Sequence, residues 1–126
     1  MAALAAWHEA HDAAADALAG VEAIPAHALA EAYSVLTRLP AGLAVPATTA
    51  SDILARRFTS APLELPAAAR PSLLATLAAA GVSGGSTYDG IVALQAAAHG
   101  ERLLTLDRRA VQTYGRLGVA FELLAA

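Results

Sequence analysis

The sequence predicts an α/β fold in which helices cover both faces of a central parallel sheet. Short apolar segments alternate along the chain with longer segments of helical periodicity, and this alternation is typical of a parallel sheet between two layers of helices. The chain has 126 residues, which argues for a single domain over residues 1–126. No internal repeat or long linker interrupts the pattern.

The first half of the chain is predicted to form helix, strand, helix and helix. Residues 4–19 have a helical apolar face that stops at a glycine, and residues 21–26 form a short apolar strand. Residues 27–40 form an apolar helix that Pro40 ends. Residues 48–58 form a further helix with a hydroxyl residue available as its cap.

The second half continues the alternation. Residues 62–66 are predicted as a brief edge strand because a proline lies at each end. A helix over residues 67–81 accommodates Pro71 in its first turns, and a glycine-rich loop precedes the next helix. The remaining elements are a helix over 88–100, a buried strand over 102–106, a short helix over 107–118 and a last strand over 119–124.

The composition limits the possible functions. The chain is 57% hydrophobic and has no cysteine, which fits a folded cytoplasmic protein without disulfides, and its alanine-rich composition is typical of a GC-rich bacterial genome. No apolar segment has the length of a membrane span, and the N-terminus lacks the pattern of a signal peptide. The net charge is −3, so binding to nucleic acid would have to be local or mediated by a metal ion.

Three carboxylates are the candidate site residues. Glu31 lies inside an apolar helix, Asp89 near the start of another, and Asp107 directly after an apolar strand. In a parallel sheet, sites form at the carboxyl ends of the strands, so the three acids could converge there. A cluster of carboxylates suits a hard cation such as Mg²⁺ or Mn²⁺.

Two segments resemble a known family. HALAEAYSVLTRLP, which contains Glu31, and GGSTYDGIVALQAAAHGERLLTLDRRA, which contains Asp89 and Asp107, resemble the acid-bearing regions of PIN-domain ribonucleases. More narrowly, they resemble those of VapC-type toxins from bacterial toxin–antitoxin pairs.

The resemblance implies a three-layer α/β/α PIN-like domain that cleaves RNA with Mg²⁺ or Mn²⁺. It also implies that Glu31, Asp89 and Asp107 are the catalytic residues and hold the metal directly or through water. It further implies a homodimer and a VapB-type antitoxin whose C-terminal segment blocks the acid pocket.

The N-terminus departs from the family pattern. The family opens with a central strand that ends in an aspartate, whereas MAALAAWHEAHDAAADAL resembles the helix that follows this strand. We therefore expect the first strand and its aspartate to be missing, through an internal start or trimming. Such a loss would leave neighbouring strands with unpaired backbone groups and would remove one metal ligand.

Each site residue also has a simpler interpretation. Asp89 fits a capping box with Ser86, and Asp107 fits a helix cap. Thr105 could hydrogen-bond a metal ligand or the RNA phosphate. Arg108 and Arg109 could contact phosphate, but such a pair more often forms a solvated helix start.

Three functions therefore remain open. The first is a metal-dependent endoribonuclease toxin. The second is a catalytically impaired PIN module that binds antitoxin and dimerises without cleaving RNA. The third is a PIN nuclease of RNA maturation.

Overall fold

The computed structural model describes residues 20–124. The helix predicted over residues 4–19 lies outside the described residues, and the expected loss of a first strand stays a prediction. The described elements are α1 (Ala26–Thr37), α2 (Ala47–Arg57), a 3₁₀ turn (Arg70–Ser72), α3 (Leu73–Ala79), α4 (Ser86–Ala97), β1 (Leu103–Thr105), α5 (Arg108–Leu117) and β2 (Phe121–Leu123).

Strands β1 and β2 form a parallel pair, as the alternation of strand and helix predicts. Leu103 lies opposite Phe121 and Thr105 opposite Leu123. A parallel pair needs a crossover connection, and α5 provides it. The α/β class is therefore confirmed. The full three-layer arrangement stays a prediction, because the sheet has two strands within the described residues.

The two proline-containing segments predicted as strands form a single parallel bridge between Pro25 and Leu63. The amide of Ala26 donates to the Leu63 carbonyl at 2.8 Å, and the amide of Leu63 donates to the Ile24 carbonyl at 2.9 Å. Proline has no amide hydrogen to extend the ladder, and α1 begins directly after Pro25. The strand predicted over 21–26 is therefore wrong in extent, and the brief edge strand predicted over 62–66 is reduced to this one bridge.

Two helix boundaries also differ from the prediction. The segment 67–81 begins with turns and a 3₁₀ turn that contains Pro71, and α3 starts only at Leu73. Proline lacks the amide hydrogen that an α-helix uses, so the chain takes a tighter turn first. Helix α1 ends at Thr37, three residues before Pro40.

The core lies between α1, α2, α4, α5 and β1. The contact surfaces of α1, α2 and α4 carry alanines that are almost completely buried, including Ala32, Ala50 and Ala93. Small side chains let helix backbones approach closely, so the alanine-rich composition sets the spacing of the helices that carry the site. Larger side chains, such as Leu54, Phe58 and Tyr114, fill the remaining space.

A cavity of about 470 Å³ lies between the Pro25–Leu63 bridge and β1. Ile24, Leu103 and Tyr114 are among the residues that line it, whereas the three candidate carboxylates are not. The acids therefore lie outside this cavity. No helix within residues 20–124 combines the length and the apolar character needed to cross a membrane.

Candidate active site

The three candidate carboxylates lie close enough to influence one another. Asp89 is half-buried in the first turn of α4. Its pKa is raised from the ordinary value of 3.8, first by burial and then by the negative charges of Asp107 and Glu31. The effect of these charges indicates that Glu31 on α1 and Asp107 at the N-cap of α5 lie near Asp89.

Glu31 projects from α1 and pairs with a histidine one turn earlier. Its Oε1 atom lies 3.0 Å from Nε2 of His27. The His27 side chain is 28% exposed and the Glu31 side chain 34%. Both groups therefore remain accessible to a ligand. His27 also acts electrostatically on Asp89, where it opposes part of the rise in the pKa of that carboxyl group.

His27 is held on two further sides. Its ring stacks on Tyr88 with a centroid distance of 5.2 Å and an interplanar angle of 9°. Its backbone amide donates at 3.0 Å to Oε1 of Gln95, a buried residue of α4. Sequence reasoning missed His27, Tyr88 and Gln95 as site residues. The i,i+4 spacing of His27 and Glu31 was the available signal, together with the position of Tyr88 beside Asp89.

Asp107 caps helix α5, as its simpler interpretation predicts. Its Oδ1 atom accepts the amide of Arg109 at 2.9 Å. Its own amide donates to Oγ1 of Thr105 at 3.0 Å, and Thr105 is only 1% exposed. Thr105 therefore positions Asp107 from inside the protein, while a direct contact with phosphate stays a prediction.

The corresponding interpretation of Asp89 as part of a capping box is wrong. Helix α4 begins at Ser86 itself, its N-cap is Gly85, and no side chain caps it. Asp89 nevertheless lies in the first turn, where a negative charge interacts favourably with the helix dipole. This interaction offsets part of the cost of placing Asp89 near two other acids.

Tyr114 links the carboxylates to the core and was also missed by sequence reasoning. It lies on α5 and is 5% exposed. Burial raises its pKa to about 12, and the charge of Asp89 adds to the rise, while a hydrogen bond with Thr105 acts in the opposite direction. Tyr114 therefore stays neutral at physiological pH and keeps its hydrogen bond with Thr105.

Arg108 and Arg109 are exposed in the first turn of α5, directly after Asp107. This position is compatible with either predicted role, as a phosphate contact or as a solvated helix start. Between residues 20 and 124, no three His, Cys, Asp or Glu side chains form a group that could hold a metal ion. The structure thus brings the three acids near one another without a direct three-ligand arrangement.

Comparisons with known proteins identify the family to which this sequence is similar. The PIN domain family model matches residues 1–116. Ribonuclease VapC40 of Mycobacterium tuberculosis is 46% identical over 125 residues, which cover 98% of this chain and 92% of that protein. Ribonuclease VapC27 of Mycobacterium tuberculosis is 46% identical over 97 residues, which cover 77% of this chain and 70% of that protein. No solved structure gives a significant match.

Proposed function

Because this chain belongs to the PIN domain family, we propose that it is a metal-dependent endoribonuclease toxin that hydrolyses RNA phosphodiester bonds. The observation that carries the proposal is the setting of Asp89, where burial and then the charges of Asp107 and Glu31 raise the pKa of its carboxyl group. Two relatives that cover most of the chain are named ribonucleases, which supports the same activity.

The donor chemistry of the site suits Mg²⁺ or Mn²⁺. Carboxylate oxygens are the preferred ligands of these hard cations, and Mg²⁺ keeps several of its waters while it binds one or two carboxylates. Glu31, Asp89 and Asp107 would hold such an ion partly through water, because they form no direct three-ligand group. When bound, the cation would neutralise charge on the phosphoryl oxygens and supply an activated water.

The protein's own residues would prepare the carboxylates for this task. His27 orients the Glu31 carboxylate through its Nε2 atom. The Thr105 hydroxyl holds the backbone of Asp107. Arg108 and Arg109 would contact the phosphates of the RNA beside Asp107, because both are exposed at the N-terminus of α5.

The test is cleavage of single-stranded RNA by the purified chain with added MgCl₂ or MnCl₂. We expect Glu31→Gln, Asp89→Asn and Asp107→Asn each to lower the rate by more than about 100-fold, since even outer partners of metal ligands are worth 10- to 100-fold. Asp52→Asn is the matched control, because Asp52 is exposed on α2. Cleavage that survives all three site substitutions would disprove the proposal.

One observation favours the alternative of a catalytically impaired module that binds antitoxin and dimerises. It is the lack of a direct three-ligand group between residues 20 and 124. Calorimetric titration with MnCl₂ separates the two functions. Binding that Asp89→Asn and Asp107→Asn both weaken supports the nuclease, whereas no binding by the unsubstituted chain supports the impaired module.

The proposed partners are a VapB-type antitoxin and a second copy of the chain. Exposed apolar side chains, including Leu43 and Leu74, offer surface for such contacts. Light scattering of the purified chain tests the homodimer, and co-expression with a neighbouring antitoxin gene tests the pair. Growth arrest that this gene relieves would also exclude the third function, an RNA-maturation nuclease.

A further inference from the structure

Tyr88 presents an exposed aromatic ring beside the acid cluster. It is 55% exposed, although it lies in the first turn of a helix whose next residue is the half-buried Asp89. The ring lies nearly parallel to the His27 imidazole, with centroids 5.2 Å apart and planes 9° apart. One face of Tyr88 is therefore supported by the protein, and much of the remaining ring faces solvent.

The support under Tyr88 is itself held in place. Nε2 of His27 lies 3.0 Å from Oε1 of Glu31, and the His27 backbone amide is bound to Oε1 of Gln95 at 3.0 Å. Gln95 is 8% exposed and belongs to the same helix as Tyr88. The His27 ring under Tyr88 is thus held by Glu31 and by α4 before any ligand binds.

The charge of the site limits how it can hold RNA. The chain carries a net charge of −3, and three carboxylates lie close to one another at the site. The carboxylates repel phosphates, so the phosphate contacts proposed for Arg108 and Arg109 would supply only part of the affinity for RNA. Stacking of a base on an aromatic ring needs no opposite charge, and it tolerates any base because every base has a π-face.

We infer that Tyr88, supported by His27, is a stacking platform for a nucleobase of single-stranded RNA next to the carboxylate site. This inference rests on the proposed function, and it adds a binding subsite to it. Tyr88 binds one base by stacking and thereby positions the RNA. The phosphodiester beside that base then lies near Glu31, Asp89 and Asp107.

The test measures RNA binding in an Asp107→Asn background, which prevents cleavage during the titration. The probe is a fluorescent single-stranded RNA of random sequence and about 12 nucleotides, within the range that such grooves bind. We expect Tyr88→Leu to weaken binding by about 5- to 150-fold, as is usual for loss of one stacked base. Tyr88→Phe and Tyr88→Trp should retain binding, because both keep an aromatic face.

Tyr33→Leu is the matched control. Tyr33 is 40% exposed on α1, two residues after Glu31, and therefore lies on a different side of the helix. We expect this variant to bind the probe as tightly as its parent. The thermal unfolding of every variant is followed by circular dichroism, so that each comparison uses folded protein.

The salt dependence separates stacking from a merely structural role of Tyr88. Loss of a stacked base should reduce affinity by the same factor at low and high salt, because no ion pair is lost. A factor that changes strongly with salt would mean that Tyr88→Leu had displaced charged groups such as Glu31, and it would overturn the inference. A second readout is a 2-aminopurine base in the probe, whose fluorescence should be quenched by the parent and not by Tyr88→Leu.

The failure of this inference is distinguishable from failure of the proposed function. If the unsubstituted chain cleaves RNA and Tyr88→Leu binds the probe as tightly as its parent, the stacking platform is disproved and the nuclease stands. If the unsubstituted chain neither binds nor cleaves RNA, both are disproved.

Discussion

The side chain of Gln95 accepts a hydrogen bond from the backbone amide of His27, 68 residues earlier in the chain, at 3.0 Å. Helix α1 begins after Pro25 without a side-chain cap of its own. The first amides of a helix lack partners within the helix, and Gln95 of α4 satisfies one of them. The same bond fixes the residue that orients Glu31, so the packing of α1 on α4 also sets the geometry of the site.

Replacing Gln95 by leucine should therefore destabilise the protein. The substitution removes the acceptor while it keeps a side chain of similar length, and loss of a helix cap costs about 0.5–2 kcal/mol. The free energy of unfolding in urea measures the effect. Gln112→Leu on the exposed surface of α5 is the control, and it should change stability by less than about 0.5 kcal/mol. Equal effects of the two substitutions would contradict the role given to Gln95.

Removing the Thr105 hydroxyl should affect both stability and activity. Thr105→Val keeps the shape of the side chain but leaves the Asp107 amide without its acceptor, which costs about 1–3 kcal/mol when the group is buried. Because Asp107 is then less firmly held, we expect slower RNA cleavage as well. Thr105→Ser should restore much of both properties, whereas Thr76→Val, at an exposed position of α3, should leave activity unchanged. Urea unfolding and the cleavage rate are the measurements, and an unchanged rate in Thr105→Val would refute the positioning role.

The raised pKa of Asp89 predicts a pH-dependent effect on stability in metal-free protein. The folded state holds the Asp89 proton more tightly than the unfolded state, whose pKa is near the ordinary 3.8. The stability that this proton contributes is fully present below the unfolded pKa and is lost as the pH rises through the folded pKa. Asp89→Asn, which cannot ionise, should therefore gain in stability relative to the unsubstituted chain as the pH rises from below 3.8 to 7.

Urea unfolding at several pH values, with a chelator present, checks this prediction. The quantity compared is how the stability difference between Asp89→Asn and the unsubstituted chain changes with pH. Its value at a single pH is less informative, because Asn also loses an interaction with the helix dipole of about 0.3–1 kcal/mol. Asp52→Asn, at an exposed site on α2, is the control for charge removal.

Glu31→Gln and Asp107→Asn should each lower the pKa of Asp89, which carboxyl NMR titration can follow. If the pKa of Asp89 is unchanged in both variants, the acids are not coupled.

Gly90 should be the least replaceable glycine of the helices. A Cβ atom at this position would lie 2.6 Å from Cδ2 of Leu77 and 3.2 Å from Cγ1 of Val82. Overpacking of this kind costs about 1–3 kcal/mol, which exceeds the helix preference of Ala over Gly of about 0.5–1 kcal/mol. At Gly115 on α5 a Cβ atom meets nothing within 4 Å. Thermal unfolding should therefore show a lower Tm for Gly90→Ala and a slightly higher one for Gly115→Ala, and the reverse order would contradict the close packing of α3 on α4.

The sequence by itself determined the α/β class, the order of most elements and the three acids of the candidate site. Apolar periodicity is a local property, and it was sufficient to predict α1, α2, α4 and α5 within a few residues of their ends. The family resemblance was carried by short segments around Glu31, Asp89 and Asp107, and the family match and the relatives confirm it. The extent of the two proline-containing strands was overestimated because their apolar character does not reveal how few of their amides can pair.

Only the tertiary structure decided which other residues surround the acids. His27, Tyr88, Gln95 and Tyr114 meet at the site because α1, α4 and α5 pack together, and no local pattern of the sequence specifies that packing. The raised pKa of Asp89 depends on the same packing, since it comes from burial and from charges on two other helices. Local composition selects the elements, whereas the distances between side chains on different elements follow from how the buried alanines let the helices approach.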